Sequence, residues 1–205
     1  MKLKVWMTLA LVMVCCALPL AAQQPQQKEM SAEEKAAMAQ WQKFMTPSEG
    51  HKMLDSMVGT FDVTVNMWMQ PGAPPMTSTG VSRNEWVLGK RYIQENFSGT
   101  FMNMPFQGIG YTGYDNGKKQ YVGTWIDNMG TGVMTSTGTT TDNGKTWTFK
   151  SVATDPMTGK DTPGESKITV TDNDHHTAEM WGPAPDGKMF KMMQIEYARR
   201  SDAKK

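Results

Sequence analysis

The sequence predicts a mainly β protein: a single antiparallel up-and-down barrel of about ten strands, preceded by one or two short N-terminal helices. Three observations carry this expectation. From Gly59 onward apolar residues recur with period two. Turn chemistry punctuates the same region at short intervals. No segment beyond Gly59 has the length and 3.6-residue period of a crossover helix, so the strands must pair antiparallel. Closing the hairpin series on itself removes the exposed edges of an open sheet.

At the N-terminus, Lys2 and Lys4 precede an apolar run from Val5 to Leu20 that ends in Ala21-Ala22 before a Gln/Pro tract. A short basic region, an apolar core and small residues at a cut point describe an export leader over residues 1–22, cleaved near Ala22. The run is shorter than the roughly 20 residues a spanning helix needs. Cys15 and Cys16, the 2 cysteines of the chain, both lie within it. The mature protein is therefore expected in the periplasm or outside the cell, with core burial rather than disulfides holding it together. Loss of Lys2 and Lys4 moves the formal charge from +1 to −1, which leaves no field suited to nucleic acid.

Residues 23–30 read as a disordered linker, and residues 31–58 as a helical segment. Ser31 and Glu34 form a capping-box pattern, and Met38, Trp41, Phe44 and Met45 fall on one helical stripe. Thr46-Pro47-Ser48-Glu49 restarts a helix with Pro at its first position. Met53, Leu54 and Met57 are expected to face inward and close one barrel end.

Residues 59–200 form the predicted barrel, and 201–205 a disordered tail. The first strand alternates Phe61, Val63, Val65, Met67 and Met69 with polar positions. Further strands are expected near 77–87, 90–98, 106–115, 118–127, 131–140, 145–153, 164–172, 175–182 and 188–199. Asn116-Gly117 and Asn143-Gly144 predict type I′ hairpin turns. The prolines of Gln70–Pro75 suggest a stiff rim. Phe101-Met102-Asn103-Met104-Pro105-Phe106 is apolar where a connection should be polar, suited to a lid or to membrane or protein contact through Phe101, Met102, Met104 and Phe106.

Several segments together resemble the bacterial family called domain of unknown function 1579: Gly108-Ile-Gly-Tyr-Thr-Gly-Tyr-Asp115, Tyr121, Thr124-Trp125-Ile126-Asp127, Asp155-Pro156-Met157-Thr158-Gly159-Lys160 and Ile195-Glu196-Tyr197-Ala198-Arg199-Arg200. The resemblance covers roughly residues 47 to 200. It implies a calycin-like barrel, related in shape to lipocalins, fatty-acid-binding proteins and nitrobindins. Such barrels open with Gly-x-Trp and end with a basic residue across that ring. Gly59-Thr60-Phe61, with Phe in place of Trp, and Arg199 or Arg200 would supply the two parts. The resemblance implies a container and names no content.

The chemistry-bearing residues give little to an enzyme. No Gly-x-Ser-x-Gly elbow or His-Glu-x-x-His motif occurs. Nitrobindin-type barrels hold haem through a histidine on the last strand, which here has none; Met192 and Met193 are the alternative iron ligands there. His175 and His176, adjacent on a strand, face opposite ways and cannot grip one ion together, and His51 lies on a helix. No cofactor or metal is therefore expected. The 20 methionines include the pairs Met67/Met69 and Met102/Met104, whose thioethers suit Cu(I). Spread along the whole chain, they read instead as adaptable core filler. Asp115, Asp142, Asp172 and Asp174 are explained by turns rather than calcium.

The remaining reading is a small hydrophobic or amphiphilic ligand held without chemical change. Period-two inspection places Val63, Val65, Met67, Tyr111, Tyr121, Trp125, Trp147, Phe149, Met193 and Ile195 on the barrel lining, with Asp127 as its first polar group. The alternatives are a hydrolase or isomerase using interior carboxylates among Asp127, Glu95 and Glu196, and a filled barrel acting as a scaffold through Phe101–Phe106.

Overall fold

The computed structural model describes residues 29–201. The expected leader, most of the linker and residues 202–205 lie outside the described residues. The chain divides into two compact units, Met1–Met38 and Ala39–Lys205. In the described part of the first, Ser31 and Glu34 make the capping box reciprocally: Glu34 N donates to Ser31 Oγ at 3.1 Å and Ser31 N to Glu34 Oε2 at 2.7 Å. This cap opens helix α1, Ala32–Met45. Its apolar stripe is not covered, since Trp41 and Phe44 remain 57% and 51% exposed.

In the second unit a short helix α2 (Glu49–Lys52) and a 3-10 turn (Asp55–Met57) lead into ten strands. These are β1 (Gly59–Met67), β2 (Met76–Val87), β3 (Tyr92–Phe101), β4 (Met104–Asp115), β5 (Gln120–Asp127), β6 (Met134–Thr140), β7 (Thr146–Thr154), β8 (Asp161–Val170), β9 (His175–Pro183) and β10 (Met189–Arg199). Each pairs antiparallel with its sequence neighbours, and β10 closes on β1. The sequence pattern places Pro47 at the first position of α2, but Ser48 is the cap and the helix starts at Glu49. The Ser48 amide donates to Nδ1 of buried His51 at 3.0 Å. That acceptor role requires a neutral imidazole, and burial with Arg91 nearby lowers the His51 pKa accordingly.

The turns show where local chemistry was overruled. Asn143 and Gly144 both have positive φ (54° and 80°), as a type I′ turn requires. Asn116 and Gly117 do not, and the left-handed position falls on Lys119 (φ 54°). Asn116 is engaged elsewhere. Its side-chain amide donates to the carbonyls of Lys43, Phe44 and Thr46 at 3.2, 3.1 and 2.7 Å, satisfying the otherwise open end of α1. The Phe101–Phe106 segment is mostly strand rather than loop. Met102 and Asn103 (φ 50° and 63°) make a two-residue hairpin between β3 and β4.

One barrel end is closed as a packed core. Leu54 (0% exposed) and Met57 from the plug meet Ile93, Tyr121, Trp147 and Phe149 from the strands, and burial of each such side chain stabilises by about 1.5–3 kcal/mol. Arg199 fastens the plug to the wall. Its guanidinium lies 4.6 Å from the Phe61 ring centroid. Nη1, Nη2 and Nε donate to the carbonyls of Val58, Ser56 and Asn173 at 2.6, 2.9 and 2.8 Å. Gly59 is required beside it: at φ 144°, a Cβ there would sit 2.0 Å from Arg199 Nη1. Arg200 faces the other way and pairs with Asp62 on the outer wall.

Candidate functional site: a half-open barrel with a neutral polar floor

Directly paired residues of adjacent strands share a sheet face, so the register fixes which side chains line the lumen. From Phe61 and Val63 the inner face runs through Ser82 and Asn84, Glu95 and Phe97, Gly108 and Gly110, and on to Trp125 and Tyr121. It continues through Gly138, Phe149, Ser166 and Met180 to Met193 and Ile195. Val63, Val65, Met67, Tyr121, Trp125, Asp127, Trp147, Phe149, Met193 and Ile195 therefore point inward. Tyr111 does not: it pairs with Gln94 and Thr124 on the outer face and is 39% exposed. The period-two expectation for Tyr111 followed the more apolar face of β4, which it shares with Ile109. The inward parity of β4 belongs instead to Gly108, Gly110 and Thr112.

Those glycines leave room for the rings of neighbouring strands. The Trp125 ring lies over Gly108 and Gly110, so close that a Cβ on Gly108 would be 2.2 Å from Trp125 Cζ2. Phe97 lies likewise over Gly80, and Phe149 over Gly138. Rings that would otherwise project into the centre are laid along the wall. The consequence is graded along the barrel axis. Phe61, Trp147, Tyr121 and Val63, near the plug, are at most 2% exposed. Val65, Phe97, Trp125, Met180, Met193 and Ile195, further toward the opposite mouth, remain partly accessible although they face inward.

The polar groups at the floor of this space form a directed chain. Ser82 Oγ is 2.6 Å from Asn84 Oδ1 and 2.7 Å from Glu95 Oε1. Asn84 Nδ2 donates to the Met57 carbonyl of the plug at 2.9 Å, which turns Oδ1 toward Ser82. The serine has a single proton and gives it to Asn84, so the proton between Ser82 and Glu95 belongs to the carboxyl. Tyr197 hydrogen-bonds the same carboxyl. Burial is the largest effect on the Glu95 pKa and pushes it up, while hydrogen bonding with Ser82 and Tyr197 acts the other way. Burial, and then the adjacent Glu95, raise the Tyr197 pKa well above its ordinary value. Beside them buried His176 stacks on Tyr197 (4.2 Å, 14°) and meets Phe61 edge-on at 4.8 Å. Burial, with Arg199 nearby, holds the His176 pKa at about 4, so the imidazole too is neutral at physiological pH.

The other two strand carboxylates are placed differently. Asp127 faces inward near the mouth and accepts from Trp125 Nε1 and from the Met129 amide, both at 2.9 Å. Glu196 lies on the outer face, bonded to Gln194. Among the described residues no hydrogen bond joins two of these acids. An open depression bordered by Asp62, Thr64, Thr79 and Glu196 is a groove of the outer surface rather than the lumen, since these are outward members of their strands. On β10 the inward positions Met193, Ile195, Tyr197 and Arg199 supply no histidine for a haem. Glu95 and Tyr197 are absent from the sequence-derived lining. The signal for Glu95 was present: it shares parity with Ile93 and Phe97, a carboxyl on an apolar face.

The comparisons agree with this architecture. Among curated proteins nothing matches the chain. The crystal structure of Rv2717c from M. tuberculosis is similar with a TM-score of 0.58 at 12% identity, covering 76% of this chain and 99% of that one; at that identity the likeness is one of fold. The family described as "Protein of unknown function (DUF1579)" matches residues 46–199, which begin just after α1 and end on the last residue of β10. The chain therefore belongs to the DUF1579 family.

Proposed function

We propose that this protein is exported and binds a small neutral amphiphile in the half-open part of its barrel, without transforming it. The observation that carries the reading is the gradient along the axis, from fully buried side chains at the plug to inward aromatic and aliphatic side chains that remain partly accessible toward the mouth. The floor selects against charge. Arg199 faces inward, but its donors are already engaged by the Val58, Ser56 and Asn173 carbonyls and by the Asp174 carboxylate, 3.2 Å from Nε. With its own proton directed at Ser82, the Glu95 carboxyl presents acceptor lone pairs, as does the Tyr197 oxygen. A hydroxyl or N–H on an otherwise apolar molecule meets that need, and the exposed Met102 and Met104 at the mouth offer an apolar approach for it.

Native mass spectrometry of protein purified from the exported fraction of producing cells tests this. A retained neutral molecule bearing a hydroxyl or N–H group is expected. Repeated recovery of the bare chain, or of a chemically converted product, contradicts the reading.

A further inference from the structure

The strand register gathers methionines that are far apart in sequence. Met67 of β1 stands directly opposite Met76 of β2 on one side and Met193 of β10 on the other. Met193 in turn stands opposite Met180 of β9. All four occupy the inner face, in line with Val65, Ile195 and Ala178, so they form one unbroken row across four adjacent strands at the mouth end. Directly opposed residues have Cβ atoms about 4.5–5.5 Å apart, within easy reach for long flexible side chains.

A register shift between Lys191 and Met193 adds to this row. The extra residue is Met192, and its sulfur lies above Gly182, where a Cβ would come within 2.7 Å of Sδ. Gly182 has the same inward parity as Met180, so the irregularity turns a further thioether onto the inner wall, and the missing side chain gives it room. Bulges commonly re-aim a side chain in this way. Met76 and Met192 are 39% and 38% exposed, while Met67, Met180 and Met193 are partly buried; the row is thus reachable from the mouth. The register thus makes neighbours of methionines that are scattered in the sequence.

We propose that Met67, Met76, Met180, Met192 and Met193 form a binding site for a soft monovalent metal ion of the Cu(I) class. Thioethers are neutral, soft donors that favour such an ion over divalent cations with a preference for nitrogen or oxygen. Among the described residues no group of three or more His, Cys, Asp or Glu side chains gathers to hold a harder ion. Binding forms metal–sulfur contacts only; no electron moves and no proton leaves. That last property separates this site from any built on imidazole, thiol or carboxylate, whose affinity falls as the ligands protonate.

Titration of the purified protein with Ag(I), a redox-inert probe of the same class, tests the assignment by calorimetry and methionine methyl NMR. One ion per chain is expected, with shifts confined to the methyls of the row, equal affinity at pH 7.5 and 5.5, and displacement by Cu(I). Met67→Leu with Met193→Leu, a pair of volume-conserving changes, should weaken binding at least tenfold. Met38→Leu and Met157→Leu should leave it unchanged. Absent binding, shifts spread over all exposed methionines, a loss of affinity at the lower pH, or an unaffected double variant each overturns the site. The wild-type titration decides even if the double variant fails to fold.

Discussion

Arg199→Met is expected to lower stability by about 4 kcal/mol, read as a reduced urea midpoint. The side chain is 15% exposed and bonds three backbone carbonyls while covering Phe61. Hydrogen bonds from a charged donor contribute about 1.5–3 kcal/mol each, and acceptors left buried without a partner keep their desolvation cost. Methionine preserves much of the packing over Phe61, so the loss reports the bonds to Ser56 and Val58 that tie plug to wall, together with those to Asn173 and Asp174. Arg200→Met, by contrast, removes a pair with Asp62 on the outer surface and should leave the midpoint nearly unmoved. A large loss from Arg200 and a small one from Arg199 would reverse the assignment of the closing residue.

The second large effect is a pair of opposite pH dependences at the floor. Glu95 has a raised pKa in the folded protein. The stability associated with its protonated form is complete below the unfolded value of about 4.5 and is lost as pH rises toward the folded pKa. Glu95→Gln keeps the same hydrogen-bond directions, an amide N–H toward Ser82 and a carbonyl toward Tyr197, without that loss. It should therefore be more stable than the native protein at neutral pH, with a gap that widens by about 1.4 kcal/mol per pH unit above about 4.5 until the folded pKa is reached. His176 acts on the acid side. Its folded pKa of about 4 lies below the ordinary value of 6.5, so stability is complete above about 6.5 and declines as pH falls toward about 4, by about 3 kcal/mol in all. His176→Phe should flatten that acid limb. Urea unfolding of the three proteins from about pH 4 to about pH 9 reads both limbs. A Glu95→Gln variant less stable than native at the alkaline end would mean that the native carboxyl is ionised.

The barrel was legible because its two strongest signals are local. Period-two alternation and tight turns require neither a partner nor a register, and closure follows from the cost of open edges. The choice between Arg199 and Arg200 was not local: the chain needs the β1–β10 register to place Arg199, and not its neighbour, against Phe61. Tyr111 failed for the converse reason, because glycines hold the inward positions of β4 and a period-two reading favours the more apolar face. Asn116-Gly117 carries the composition of a hairpin turn, yet the demand of the α1 carbonyls took precedence. The methionine row was invisible in a linear reading, since Met67 and Met193 meet only when the last strand returns to the first. Glu95 stood in view on an apolar face. Its role depended on Ser82 and Asn84 from β2 and Tyr197 from β10, which the fold alone brings to it.

Crystals of the protein pressurised with xenon probe the open half of the barrel directly, because xenon enters dry apolar space and little else. Ordered xenon is expected among Phe97, Trp125, Met180 and Ile195, with none between Leu54, Tyr121 and Trp147 at the floor. A barrel that admits no xenon on the mouth side of Glu95, with side chains occupying that space, would contradict the container on which the proposed function rests.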